Sequence, residues 1–329
     1  EVEEKWIDEN SSDEEERRKR KRYLDAILNL LGEKADCDFE AIPGEEFCIF
    51  HDPYYYNENP EIVRQEFLKL LNENEKNFFV GFHLPSMILP ETIRKDLHME
   101  LAKFHGTLKA ARTIFNKSVS FSGATFERAV TFDGTIFKGI ASFSGATFKR
   151  LASFDGAVLT EASFDGAKFK GLASFEGTIF EKVIFIRTMF NEARFNEAKF
   201  LGKSFFDESI FYGYVIFKNT SFLPDLLEKC IDPYNYISFK RLSFKGYGKV
   251  IFDSCELKRV SFIYTDLGRI EFRNTKFDED FKIYDEKLFL IKISKRKKEF
   301  IKECREKLRT IIDVIDGKKI DNRIKKEID

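Results

Sequence analysis

The sequence predicts a mainly β protein: a four-sided β-solenoid flanked by helices at both ends. Three observations carry that expectation. A large apolar residue, nearly always Phe, returns every five or six positions from Phe115 to Phe222, and Phe makes up 38 of the 329 residues. A small or β-branched residue stands two places before most of these anchors, as Ala124 does before Phe126 and Thr178 before Phe180. Pairs ending in Gly recur on alternate sides: Ser122-Gly123, Asp133-Gly134, Ser144-Gly145, Asp155-Gly156, Asp165-Gly166 and Glu176-Gly177. Neither the 3.6-residue period of a helix nor the two-residue period of a flat strand fits. A chain that turns through a right angle about every fifth residue does. Anchor and small residue then point inward, four sides close a coil, and the coils stack so that each buries its neighbour's apolar side.

The N-terminal region, 1–112, reads as helical. Residues 1–11 are acidic and polar and are expected to fray. Ser12 or Asp13 caps a helix with Glu14, Glu15 and Glu16 in its first turn, Leu24, Ile27, Leu28 and Leu31 on one face, and Gly32 at its end. Within it Arg17, Arg18, Lys19, Arg20, Lys21 and Arg22 form a basic run suited to phosphate contact; a solvated face neutralised by the preceding glutamates is the preferred reading.

Residues 33–56 form a small irregular unit. Cys37 stands eleven residues before Cys48, and Cys48 and His51 form a C-x-x-H pair with Pro43-Gly44 supplying a turn between the cysteines. Thiolates and an imidazole at this spacing can share one structural zinc ion, with Asp36 or Asp38, or a thiol or His from elsewhere in the chain, as a fourth donor. The segment resembles a short zinc knuckle that has lost its first ligand. The alternative is two small buried thiols and a hydrogen-bonded imidazole.

Asn59-Pro60 opens the next helix, expected to run to about Asn74 with Ile62, Val63, Phe67, Leu70 and Leu71 on its apolar face. Phe78 to Leu89 reads as extended. Ile93, Leu97 and Leu101 then predict a third helix over 91–104. His83, His98 and His105 are scattered nearby with no catalytic companions and are given no role.

The repeat proper is placed at 113–280. Spacing alternates five and six, which puts a bulge at alternate corners, and relaxes to fives from Phe180 to Phe200. Phe115, Phe137, Leu159, Phe180, Phe200 and Phe222 fall in one column and Phe126, Phe148, Phe169, Phe190 and Phe211 in the opposite one. Gly at a fixed corner suits the third residue of a type II turn, where φ is positive. After a break the series resumes from Phe239 to Phe277, about 29 anchors or seven coils in all. This pattern resembles the pentapeptide-repeat family, whose repeats centre on Phe or Leu with Ala two places before. The resemblance implies a right-handed quadrilateral β-helix and a non-enzymatic role. The Asp or Asn usual just before the central residue is mostly Ser, Thr, Ile or Lys here, as in Ala146-Thr147-Phe148. Some members of the family mimic DNA and bind topoisomerases; that role needs an acidic rod, and Phe115 to Phe222 carries 13 basic and 11 acidic residues.

The insert at 223–236 and the bulge at Gly246-Tyr247-Gly248 interrupt the period. Over 281–329 a C-terminal cap is expected, with an amphipathic helix from Lys298 to Ile315 that covers the last coil or pairs with its copy in a homodimer. Residues 291–329 hold 14 Lys and Arg against 8 Asp and Glu, a basic tail.

Five separated cysteines, Cys37, Cys48, Cys230, Cys255 and Cys304, argue for a reducing compartment. No run approaches the ~18 apolar residues of a membrane span. The chain is therefore expected to be cytoplasmic, and a single Gln amid abundant Lys and Glu is the composition reported for hyperthermophiles. No phosphate loop or catalytic set is recognisable. The expected function is a non-enzymatic protein-interaction scaffold, its protein partner engaged by the helical ends or the insert. The alternatives are nucleic-acid or ribonucleoprotein association through Arg17 to Arg22 and the basic tail, and the soluble part of a membrane-attached protein of the same family.

Overall fold

The structure is a computed structural model that describes residues 39–44, 47–73, 76–222, 237–257, 260–262 and 264–277. Two helices, α1 (Tyr55–Glu58) and α2 (Pro60–Asn72), precede a parallel β-solenoid of four strands per turn. Each strand pairs with its equivalent one coil away. The column that begins at His83–Leu84 passes through Lys103–Phe104, Thr125–Phe126 and Thr147–Phe148 and reaches Ser243–Phe244. On the opposite side Thr92–Ile93 starts a column that reaches Lys276–Phe277. About eight turns result, one more than the anchor count predicts.

The extra turn lies at the N-terminal end, and it corrects the expected helix over 91–104. Those residues form the strands Thr92–Ile93, Leu97–His98 and Lys103–Phe104, in register with the coil that follows. Ile93, Met99 and Phe104 are the anchors and are buried, with Leu97 and Ala102 in the small-residue positions before the last two. Leu101, counted on the expected helix face, sits at a corner with φ 58°. The solenoid therefore begins near Phe78, whose bridge to His98 continues a strand column, and not at 113.

The interior is filled with rings. Within a column they stack almost parallel: Phe126 on Phe148 at 4.8 Å and 3°, Phe148 on Phe169 at 4.6 Å and 3°. Two facing columns interlock edge-to-face across the axis, as Phe143 does with Phe154 (5.4 Å, 87°) and Phe154 with Phe164 (5.4 Å, 88°). Each such pair adds about 0.5–1.5 kcal/mol beyond area burial.

The small inward positions have a second use. Where they hold Thr or Ser, the buried hydroxyl usually donates to the carbonyl of an anchor position one coil back; Ser204 instead donates to Gly202 O of its own coil. Thr178 Oγ1 reaches Phe154 O at 2.7 Å, Thr188 reaches Phe164 O at 2.7 Å and Thr220 reaches Phe195 O at 2.6 Å. Buried hydroxyls must find such partners, and the turn carbonyl has a spare lone pair to offer.

The expected Gly corners are present. Gly145 has φ +66° and Ala146 N donates to Phe143 O at 3.0 Å, the geometry of a type II turn. The same left-handed residue persists where Gly is absent: Arg187, Glu197, Glu208 and Asn219 all have φ between 51° and 59°. The expected bulges fall at the other two corners, with register shifts between Phe137 and Ile140 and between Phe169 and Leu172.

Helix α2 caps the open end of the first coil. Val63, Phe67, Leu70 and Leu71 are buried, and the Phe67 ring meets Phe79 edge-on at 5.3 Å. Asn59 occupies the expected cap position but its side chain makes no capping bond, and Ile62, assigned to the apolar face, is 46% exposed. The helix C-terminus is held from the rod: Lys95 Nζ donates to the carbonyls of Leu70 (2.7 Å), Glu73 and Lys76. Cations are favoured at a helix C-terminus, although burial lowers the Lys95 pKa, partly offset by Glu73.

The corner geometry yields a paired prediction. Gly156→Ala forces a Cβ into φ +65° with no atom within 4 Å, and costs about 1 kcal/mol from backbone strain alone. Glu197→Gly relieves the same strain at φ 58° and stabilises by a few tenths to about 1 kcal/mol. Thermal or denaturant unfolding of the two variants should move in opposite directions.

Candidate interaction surface and the N-terminal donor pair

With the interior closed by rings, only the exterior is open to contact. The glycine-bearing corners carry Asp133, Asp155, Asp165 and Glu176, whereas the bulged ones carry both signs, Lys117, Lys138, Lys149, Arg150 and Lys170 beside Glu127, Glu161 and Glu181. Much of this charge is used between coils. Ser153 Oγ donates to Asp133 at 2.5 Å, Ser174 Oγ to Asp155 at 2.6 Å, and Arg187 forms a two-pronged pair with Asp165. At the next corner Ser122 and Ser142 (2.8 Å) and Ser144 and Ser163 (2.8 Å) form a hydroxyl ladder. Exposed pairs of this kind add little stability singly.

One surface differs from the rest. At the bulged corner of the seventh and eighth coils, Tyr214 and Tyr247 are 46% and 58% exposed with ring centroids 5.8 Å apart. Lys245 Nζ lies 5.7 Å from the Tyr212 ring. The loop Gly246-Tyr247-Gly248 holds two residues more than the corner beneath it, since eight positions separate Phe244 from Phe252 and six separate Phe211 from Phe217. It is supported from the next turn by Arg269, whose Nη1 donates to the carbonyls of Gly246 and Gly248 at 3.4 Å each. Gly248 is obligatory there, because an added Cβ would lie 2.0 Å from Phe211 O. Below the loop Glu271 pairs with Lys249 and Arg273, and those hydrogen bonds, Arg273 first, hold its carboxyl below the ordinary range. The tyrosines thus stand on a braced platform. The sequence reading marked the bulge but not the aromatic cluster; the signal was the close run Tyr212, Tyr214 and Tyr247 beside Lys245.

Of the predicted metal donors, Cys48 and His51 are brought together. A tight turn, with His51 N and Asp52 N each 3.0 Å from Cys48 O, sets Cys48 Sγ 3.3 Å from His51 Nδ1. The other ring nitrogen, Nε2, donates to Val80 O at 2.9 Å. Cys37 lies outside the described residues, as do Arg17 to Arg22, the 223–236 insert, Cys230, Cys304 and the C-terminal helix. Among the described residues no group of three or more His, Cys, Asp or Glu converges as a metal site. Two histidines left without a role do meet: His83 Nδ1 and His105 Nε2 are 2.8 Å apart, and the Tyr56 ring stacks on His105 at 3.7 Å.

These features define a four-sided parallel β-solenoid with a helical N-terminal cap. Three overlapping stretches, 110–158, 132–179 and 154–199, match the family described as Pentapeptide repeats (9 copies). Residues 110–199 thus carry pentapeptide repeats. Among solved structures, full-length QnrB1, a plasmid-mediated fluoroquinolone resistance protein, is 15% identical, and the likeness covers 60% of this chain and 92% of that one at a TM-score of 0.24. HetL, involved in heterocyst differentiation regulation in the cyanobacterium Nostoc sp. strain PCC 7120, is 11% identical, with 64% of this chain and 90% of that chain covered at a TM-score of 0.19. At TM-scores of this size neither likeness bears on function. No curated protein matches. No helix among the described residues is long and apolar enough to cross a membrane.

Cys255 offers a pH test of the core. Its thiol donates to Phe217 O at 3.1 Å, the role Thr fills in other coils, and burial pushes its pKa from 9.0 up to about 11. The folded rod therefore keeps this proton while the unfolded chain loses it. The stabilisation is complete below about pH 9 and is lost as pH rises to about 11. Between those values the melting temperature of the wild type should fall more steeply than that of Cys255→Thr, which keeps the hydrogen bond and has no thiol to ionise.

Proposed function

We propose that the protein is a non-enzymatic interaction scaffold whose partner is a protein docked on the tyrosine platform of the seventh and eighth coils. The observation that carries this reading is the exposure of Tyr214 and Tyr247 on a braced corner, with the cation of Lys245 over the nearby Tyr212 ring. Tyr and Arg are the residue types over-represented at binding hot spots, and aromatics held on rigid backbone lose little entropy on docking. A nearly balanced exterior does not favour a role as a DNA mimic.

Nucleic-acid association is the second reading. An aromatic surface with neighbouring cations can also stack bases, and the basic run Arg17 to Arg22 and the basic tail would add phosphate contacts. The two are separated by photo-crosslinking in cells of the source with a benzophenone amino acid at Tyr247, and at Ile179 as a control. The scaffold reading predicts discrete protein adducts at position 247 that are absent at 179 and are lost when Tyr212 and Tyr214 are changed to Ser. Nuclease-sensitive adducts at 247, or equal labelling at both positions, would contradict it.

A further inference from the structure

We infer that the tyrosine platform is one end of a longer docking edge, and that its occupant is an acidic amphipathic helix of another protein laid along the rod from the coil of Leu151 to that of Tyr247. The inference rests on the platform reading and gives the partner its chemistry.

Register carries the first part. The inward residues Ala152, Ala173, Ala193, Val215 and Val250 stand over one another in successive coils. The residues just before them therefore share one corner: Leu151, Leu172, Glu192, Tyr214 and Lys249. Leu151 is 43% exposed and Leu172 half-buried, so apolar surface continues below the platform along the same edge. Gly213 joins the two ends. A Cβ added there would lie 3.1 Å from Tyr247 Cε2 and 3.2 Å from Glu192 Cγ, so the Tyr247 ring turns back across the corner toward the methylene stem of Glu192. The opposite bulged corner differs. Ile140 is 51% exposed there, but the same position in the next two coils holds Glu161 and Lys182.

Spacing selects the occupant. Coils repeat at about 4.8 Å. One face of an α-helix repeats at about 5.4 Å, so a helix along the corner offers an apolar side chain to each successive coil. One face of an extended peptide repeats at about 6.8 Å. Such a peptide also finds no ladder to join, because from Leu151 to Tyr214 every strand flanking this corner already pairs with the coil on either side.

Charge sets the sign of the partner. The corner segments 127–129, 149–151, 170–172, 191–192, 212–214 and 245–249 hold six Lys or Arg against Glu127 and Glu192. Glu127 is engaged by Lys149 at 2.8 Å and by Lys103 at 3.7 Å. Arg128, Arg150 and Lys245 are exposed and pair with no carboxylate among the described residues. Acidic residues flanking the apolar stripe of a docked helix would meet them. The basic run Arg17 to Arg22 and the basic tail of this chain carry the wrong sign, which points to a different chain.

The test places the benzophenone amino acid at Leu151, with Ile140 as its control, in cells of the source, and maps the linked residues of the partner by mass spectrometry. Positions 151 and 247 lie three to four coils apart, about 14–19 Å. The expected result is one protein linked from both positions and not from 140. Its linked residues should lie about 10–13 apart in one acidic segment with apolar residues every three or four. A synthetic peptide of that segment should bind the purified full chain. Its affinity should fall at least about fivefold when Leu151 and Leu172 are both changed to Ser, and should fall with added salt. Resistance of Cys255 to a thiol reagent reports an intact rod in that variant. Linked residues only about 4–6 apart, as in an extended chain, would overturn the helix. So would a basic segment, a second copy of this chain or nucleic acid at 151, or unchanged affinity in the double variant. Protein adducts at 247 with none at 151 would overturn the longer edge and leave the platform reading standing. No adduct at 247 would overturn the platform reading itself.

Discussion

Each coil must place its inward side chains directly over those of the coil beneath, because the strands are parallel and paired in register. That one constraint organises the molecule. It fixes the cross-section, so the same ring recurs at the same corner, and near-parallel stacks such as Phe169 on Phe190 (5.2 Å, 1°) follow. It also decides where variation can go. An extra residue cannot enter a side without shifting the rings, so extra residues leave through the corners, as at Gly139 and Gly171. Each of these glycines lies over the backbone of the coil below with no room for a side chain. The Tyr247 loop likewise leaves from a bulged corner.

The same constraint explains why the interior is chemically quiet and the exterior is not. Most hydroxyls and the one thiol within the stack satisfy themselves on the carbonyl of a neighbouring coil, as Thr178 and Cys255 do. Charged side chains lie at the corners, where many serve to join one coil to the next. What remains available to a partner is what the ladders do not use, and the tyrosine platform is the most conspicuous such surface among the described residues.

The fold was legible because its signal is a spacing. Column membership, the inward position of the small residue, the type II turns at Gly and the bulges at the other corners all follow from counting residues between anchors. The reading failed where the anchor changed identity. In the first two coils the anchors are Leu84, Ile93, Met99 and Phe104, and with Phe mostly absent the four-residue spacing of Ile93, Leu97 and Leu101 imitates a helix. Turn chemistry was hidden for the same reason: Leu101 and Arg112 hold the left-handed corner that Gly123 and Gly134 hold one coil later. Ala102 before Phe104 and Leu97 before Met99 were the cues that could have restored the register. Of the candidate sites, the Cys48/His51 pair could be seen because its spacing is local. The meeting of Tyr214 with Tyr247 depends on coils stacking 33 residues apart in sequence, with the insert between them, which no local pattern reveals.

The central claim is that one continuous stack of coils runs from Phe78 to Phe277. Amide hydrogen exchange followed by mass spectrometry on the full chain tests it most directly. Peptides covering 92–109 should exchange as slowly as those covering 147–169 and should lose protection in the same cooperative step. Early, independent exchange of 92–109, as expected of a separate helix outside the rod, would contradict the account.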